Sequence, residues 1–250
     1  MTTIKLAVKN YSILLIIGFT LSSTNLFSQQ KKEEIPEPVV VTPGKKGKAP
    51  SDAIILFNGE NLDNFESVVD GSPANWKISG KKFTVVPGTN NIRTKEKFGD
   101  CQLHIEWKTP PKDTRQGKTS QQNGNSGIYL MSKYEIQVLN SYINKTGPKG
   151  QAGAFYSNFP PLVNASLKPG KWQTYDIIFK APIFDENEVL KQPGSFTVIH
   201  NGVLVQNHVP IIKPTQAHNN NYSVAEKELP LMLQDHNNEV SYRNIWIRKL

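Results

Sequence analysis

The residues best suited to chemistry lie in the stretch Tyr134-Glu135-Ile136-Gln137-Val138-Leu139-Asn140. In an extended strand, successive side chains alternate between two faces. Tyr134, Ile136 and Val138 then share a face that can be buried, while Glu135 and Gln137 stand side by side on the other. A carboxylate and an amide held together on a rigid strand can grip a hydroxylated ligand or move a proton. The same pattern also describes the solvated outer face of a sheet, so the surrounding chain has to decide between the two. Glu106 shares an alternating face with His104, and His236 and Arg243 add a titratable ring and a permanent cation.

The elements that must position these side chains read as strands and turns. Cys101, Leu103, Ile105 and Trp107 alternate with Gln102, His104, Glu106 and Lys108 over residues 99–109. Residues 125–131 form a second strand, separated from Tyr134–Asn140 only by Ser132-Lys133, so these two are expected to pair. Trp172–Lys180 alternates again, and Asn201-Gly202 between Phe196–His200 and Val203–Gln206 fits a two-residue hairpin turn. Further strands are expected at residues 53–57, 76–78, 82–86, 231–235 and 240–249. No segment carries a long 3.6-residue apolar period, so the chain is expected to be all-β, a sandwich or jelly roll. Four long connections, residues 110–124, 141–170, 181–194 and 207–230, could wall a groove. Trp107, Trp172 and Trp246 fall on apolar phases and are expected in the core, and Cys101 is expected to be a buried thiol.

The N-terminus is of another kind. Lys5 and Lys9 precede an apolar run from Tyr11 to Leu21, then Ser22–Asn25, the layout of a secretory signal peptide over residues 1–28. The run falls short of the roughly 20 residues a membrane span needs. The expectation is export to the periplasm or beyond, with no stable membrane insertion after cleavage. Residues 29–50, rich in Pro, Gly and charge, are expected to be a disordered linker, leaving 51–250 as one domain. The formal charge of +8 is half accounted for by residues 1–50, with seven lysines against three glutamates. A surplus of +4 over the domain is no footprint for nucleic acid.

Several stretches then resemble a known family as an ordered set. They are Leu56–Leu62, Leu103–Trp107, Asn125-Ser126-Gly127-Ile128, Tyr134–Leu139, Gly150–Tyr156, Pro169–Gln173, His200-Asn201-Gly202 and Leu233–His236 through Tyr242–Ile247. Together, over about residues 53–250, they resemble the 3-keto-disaccharide hydrolase family of exported bacterial sugar-processing proteins. The resemblance implies a concanavalin-A-like jelly roll of two antiparallel sheets, with long loops around a concave, sugar-binding face. It implies catalytic roles for Glu135, His236 and Glu106. It implies sugar contacts from Gln137, Asn125, Gln234 and Arg243; His104, beside Glu106, and Tyr156, a ring in a glycine-rich loop suited to stacking on a sugar, are further candidate contacts read from the residues themselves. Related jelly-roll glucanases carry E-x-D-x-x-E on one strand. This chain has Glu135, Gln137 and then Leu139-Asn140, which argues against a retaining mechanism built on two close carboxylates.

A ketone at C3 of a sugar changes what is required. It acidifies the C2 proton, so one base can remove it and the group at C1 can leave by elimination, with water adding back for net hydrolysis. The needs are a base, a group that steadies the enolate, and an acid for the leaving oxygen. A divalent metal could assist, since His104, Glu106, Glu135, Asp235 and His236 are suitable ligand types, although no metal-binding spacing is present. No nucleotide-binding motif exists, so a separate sugar 3-oxidoreductase would make the substrate. A non-catalytic carbohydrate-binding domain on the same fold is the alternative.

Overall fold

A computed structural model describes residues 36–45, 47–111, 121–142, 144, 146–215 and 222–250. The strands in chain order are β1 Ile54–Phe57, β2 Phe65–Ser67, β3 Lys77–Ile78, β4 Phe83–Thr84, β5 Ile92–Phe98, β6 Cys101–Lys108, β7 Ser126–Leu130 and β8 Tyr134–Val138. They continue as β9 Gln173–Lys180, β10 Ile183–Phe184, β11 Leu190–Gln192, β12 Gly194–His200, β13 Val203–Ile211, β14 Leu229–Leu233 and β15 Ser241–Lys249. An eight-stranded antiparallel sheet runs β13-β12-β9-β6-β15-β4-β3, with β1 also pairing with β15. A five-stranded sheet runs β2-β5-β14-β7-β8, and β10 and β11 form a small hairpin. This is the expected all-β jelly-roll sandwich. Among the described residues no helix is long and apolar enough to cross a membrane.

The core forms where the inward positions of the two sheets meet. Leu103, Ile105, Trp107, Tyr175 and Ile177 face Ile128, Leu130, Tyr134, Ile136 and Val138 in one buried cluster. The Tyr134 and Phe179 rings lie 5.8 Å apart between the sheets. Two polar links cross the same layer. The Tyr175 hydroxyl donates to the Gln137 carbonyl (2.8 Å), and the Tyr242 hydroxyl donates to Ser126 Oγ (2.6 Å).

The β12–β13 hairpin turns through Asn201 (φ 52°) and Gly202 (φ 81°), the two positive φ values a type I′ turn needs. β7 and β8 pair as expected, with Leu130 opposite Tyr134 and Gly127 opposite Gln137. β5 escaped sequence reading because Arg93, Lys95, Glu96 and Lys97 interrupt its apolar positions. Its Ile92 and Phe98 are buried all the same.

Two expectations are corrected here. Val41–Pro50 was expected to belong to the disordered linker, yet part of it is tied to the domain. The Gly47 carbonyl accepts from Asn244 Nδ2 (2.9 Å) and Trp246 Nε1 (3.0 Å), and Thr42 and Ser51 bond to each other. A backbone with few apolar side chains can still dock when a sheet face offers it donors. Trp246 is therefore buried beneath this strap on the outer side of the sheet, and Trp172 is only partly covered, whereas Trp107 is in the core as expected.

Candidate functional site

β8 puts Glu135 and Gln137 on the outward face of the five-stranded sheet, because Tyr134, Ile136 and Val138 are drawn into the core. Neither is a solvated residue: Glu135 is 3% exposed and Gln137 1%. Tyr129, directly across on β7, hydrogen-bonds to the Glu135 carboxyl. Gln234, following β14, brings Nε2 to 3.4 Å from the Tyr129 hydroxyl, and its carbonyl accepts from Ser126 Oγ. The Gln137 carboxamide lies between Gln121 Oε1 (2.8 Å) and Glu135 Oε1 (3.0 Å). With its nitrogen turned to the carboxylate it donates to Glu135 and to the Ser126 carbonyl.

Gly127 makes this packing possible. A Cβ there would sit 2.5 Å from Tyr129 Cε2 and 2.6 Å from Glu135 Oε1. The carboxyl thus lies directly over bare backbone.

Burial shapes the chemistry. Glu135 is pushed up to about 8, chiefly because desolvation penalises the carboxylate, with the Tyr129 hydroxyl pulling weakly the other way. Among the described residues no cation pairs with it. Tyr129 is raised as well, first by burial and then by the Glu135 charge, with Tyr156 near enough to contribute. A hollow of about 490 Å³ opens beside this group, lined by Gln121, Gly147–Gly150, Tyr156, Ser157 and Pro160. Tyr156 also anchors its loop on β8, its backbone N–H donating to the Glu135 carbonyl (3.1 Å). Gln121 links the hollow to Gln137, its carboxamide lying 2.8 Å from that of Gln137 and 3.0 Å from the Gly150 carbonyl.

Of the expected site residues, Glu135, Gln137, Gln234, Asn125 and Tyr156 come together on this sheet. Asn125, at the start of β7, donates to the Gln121 carbonyl. His236 sits two residues beyond Gln234 in the turn after β14, whose backbone is held by Asn238. Glu106, His104 and Arg243 do not belong to the group, which corrects the expectation of a single hollow. β6 and β15 lie in the other sheet, and Leu103, Ile105, Trp107 and Tyr242 occupy their inward positions. Glu106, His104 and Arg243 therefore point out of the opposite face, with two sheets roughly 10 Å apart in between.

There they form a saturated network. Glu106 accepts from Arg243 Nε (2.5 Å) and Asn244 Nδ2 (2.9 Å), and His104 Nδ1 meets Asp176 Oδ1 at 2.6 Å. The His104 ring stacks on Trp246 at 5.1 Å. Burial opposes the charge on both. Even so, Asp176 and Glu106 hold His104 up at about 9, while His104, Asn244 and Arg243 hold Glu106 down at about 2.

Tyr129, Gly127 and Gln121 were missed. Counting back from the expected Ser132-Lys133 turn places Leu130 opposite Glu135; the turn in fact takes in Met131 as well, which shifts the register by one residue and brings Tyr129 there. Gln121 arrives from a loop whose path carries no periodic signal. Among the described residues no three His, Cys, Asp or Glu side chains gather as a metal site would need.

Residues 52–248 match the model of the 3-keto-α-glucoside-1,2-lyase-like domain. The chain belongs to this family. A crystal structure described as a proposed glycosyl hydrolase from Parabacteroides distasonis is 41% identical, with a TM-score of 0.80, covering 94% of this chain and 100% of that one. Two more proposed glycosyl hydrolases from the same bacterium share the fold. One has TM-score 0.55 and 15% identity (80% of this chain, 94% of that one), and the other 0.53 and 22% (79% and 99%). No curated protein matches the chain. Membership of the 3-keto-α-glucoside-1,2-lyase-like family makes this an enzyme of the glycoside hydrolase or lyase class, as the ordered motifs led us to expect.

Proposed function

We propose that the outward face of the five-stranded sheet cleaves 3-keto-glycosides, with Glu135 as the proton-transfer group. The observation that carries this reading is a buried carboxyl with no cationic partner among the described residues, raised to about 8, beside a hollow large enough for a sugar. A carboxylate stripped of water is a stronger base than one in solution, and a pKa near the working pH suits general acid–base catalysis. In the reaction Glu135 takes the C2 proton, and the electron pair moves into the enolate at C3. The enolate then collapses to a C1–C2 double bond as the C1 oxygen departs. That oxygen regains a proton from the newly formed Glu135 acid. Water adding to C1 completes net hydrolysis. Gln137 and Tyr129 orient the carboxyl, and Tyr156 and Gln121 are placed to contact the sugar.

A carbohydrate-binding domain would gain nothing from burying a carboxyl that has no counter-ion among the described residues, which is why catalysis is favoured over binding alone. The layout of residues 1–28 supports export, and a separate 3-oxidoreductase would supply the ketone. The test is incubation of the purified protein with a 3-keto-glucoside, with and without chelator, alongside Glu135→Gln. The reading predicts release of the aglycone by the wild type and its loss in the variant with substrate binding retained. Intact substrate under both metal conditions refutes it.

A further inference from the structure

On the outward face of the eight-stranded sheet, away from Glu135, one row of residues has no counter-charge among the described residues. Register places Lys77 opposite Thr84, Thr84 opposite Ser241 and Ser241 opposite Lys108. Trp172, immediately before β9, completes the row, with Lys108 Nζ 4.9 Å from its ring centre and Arg243 Cζ 4.1 Å away. All point outward, because Ile105, Trp107, Phe83 and Tyr242 take the inward positions around them. Lys82 reaches into the row and donates to Thr84 Oγ1 (3.0 Å) and Ser241 Oγ (3.4 Å), and those two hydroxyls bond to each other (2.8 Å). Its charge thus meets hydroxyls only. Among the described residues neither Lys77, Lys82 nor Lys108 has a carboxylate partner, and the one carboxylate nearby, Glu106, is committed to Arg243, Asn244 and His104.

Like charges held together without counter-charges are unfavourable unless something else supplies the anion. Lys108 registers this, depressed by burial and then by Lys82 and Arg243. The row crosses four inter-strand spacings of about 4.8 Å, so it runs roughly 19 Å. That length suits an extended chain bearing repeated charges better than a single small ion.

We propose that this face is a second carbohydrate-binding site, recognising sulfate or phosphate monoesters carried on a glycan, with Lys82 and Lys108 as the oxyanion contacts, Thr84 and Trp172 completing the surface, and the buried Ser241 holding Lys82 in place. Lysines and hydroxyls are effective donors to tetrahedral oxyanions. The choice of a glycan rests on family membership, not on the reaction assigned to Glu135. The site would hold an acidic polysaccharide on one side of the domain while the other side works on a different segment.

Trp172 supplies the readout, since Trp76, Trp107 and Trp246 are all buried. The full chain is titrated with sodium sulfate against sodium chloride at equal ionic strength, then with a sulfated oligosaccharide, its desulfated form and a single-stranded DNA oligomer. Fluorescence and calorimetry follow binding. The site predicts a saturable response to sulfate but not chloride, and at least about tenfold tighter binding of the sulfated sugar than of the desulfated one. Lys82→Ala with Lys108→Ala should lose that preference, with turnover on a 3-keto-glucoside unchanged. Trp172→Phe should abolish the fluorescence signal while calorimetry still detects binding. Should the alanine pair lose its cooperative thermal transition, single Lys→Gln changes carry the same comparison. Equal responses to sulfate and chloride, equal affinity for the desulfated sugar, full affinity in the folded lysine variants, or tighter binding of DNA than of the sulfated sugar would each overturn the proposal.

Discussion

Glu135 and Glu106 occupy the same kind of position and behave in opposite ways. Each stands on an alternating strand, points out of its sheet and has a side-chain amide within reach, Gln137 in one case and Asn244 in the other. Glu106 also meets an Arg guanidinium and a His ring, and is held at about 2. Glu135 meets a phenol and an amide but, among the described residues, no cation, and is pushed up to about 8. The strand supplies only the carboxyl. What it can do is decided by residues that neighbouring strands bring alongside it: Arg243 and Asn244 from β15 and its bulge, Tyr129 from β7. A satisfied charge pins structure, and an unsatisfied one is available for proton transfer.

The largest expected difference between the two faces is catalytic. Glu135→Gln should lower kcat on a 3-keto-glucoside by about 10²–10⁴-fold, the usual worth of a general acid or base. Glu106→Gln should leave kcat within a small factor while lowering Tm, because it leaves Arg243 and His104 short of a partner. Steady-state kinetics and thermal melts on both variants decide the matter, and a kcat collapse in Glu106→Gln would erase the contrast.

Next comes Gly127→Ala, whose Cβ would collide with Glu135 Oε1 and Tyr129 Cε2. Activity should fall at least tenfold, about 1.4 kcal/mol in the barrier, with a modest loss of stability. Unaltered kinetics would show that the carboxyl need not rest on that backbone.

The pH dependence separates the faces further. Glu135 is raised from 4.5, so its neutral form is favoured in the folded state. Its contribution is fully present below about pH 4.5 and is lost as pH rises through 8. Glu135→Gln should therefore raise Tm at pH 8.5 and leave it nearly unchanged at pH 4. Glu106 is lowered to about 2, so its contribution is present above 4.5 and lost as pH falls through 2. His104, raised to about 9, contributes fully below 6.5 and loses that contribution as pH rises through 9. Melts of the variants across this range test all three signs.

The smallest effect is expected from Tyr129→Phe. Removing a donor to the carboxylate should move the acidic limb of the rate profile to higher pH by a fraction of a unit, and lower kcat severalfold. A kcat loss as large as that of Glu135→Gln would instead make the phenol a direct participant.

The amino-acid sequence alone determined the strands with clear two-residue alternation, the Asn201-Gly202 turn and the β7–β8 pair, because these depend on local pattern and near neighbours. It also singled out Glu135 with Gln137, since outward polar residues on an otherwise apolar strand are visible in one dimension. It could not separate Glu106 from Glu135, nor show that Thr42 and Gly47 are tied to the domain, the latter over Trp246. Which sheet a strand joins is fixed by pairings between residues more than a hundred positions apart, such as Glu106 with Arg243. The burial that raises one carboxyl and the cation that lowers the other are products of that arrangement. Only the folded chain decided them.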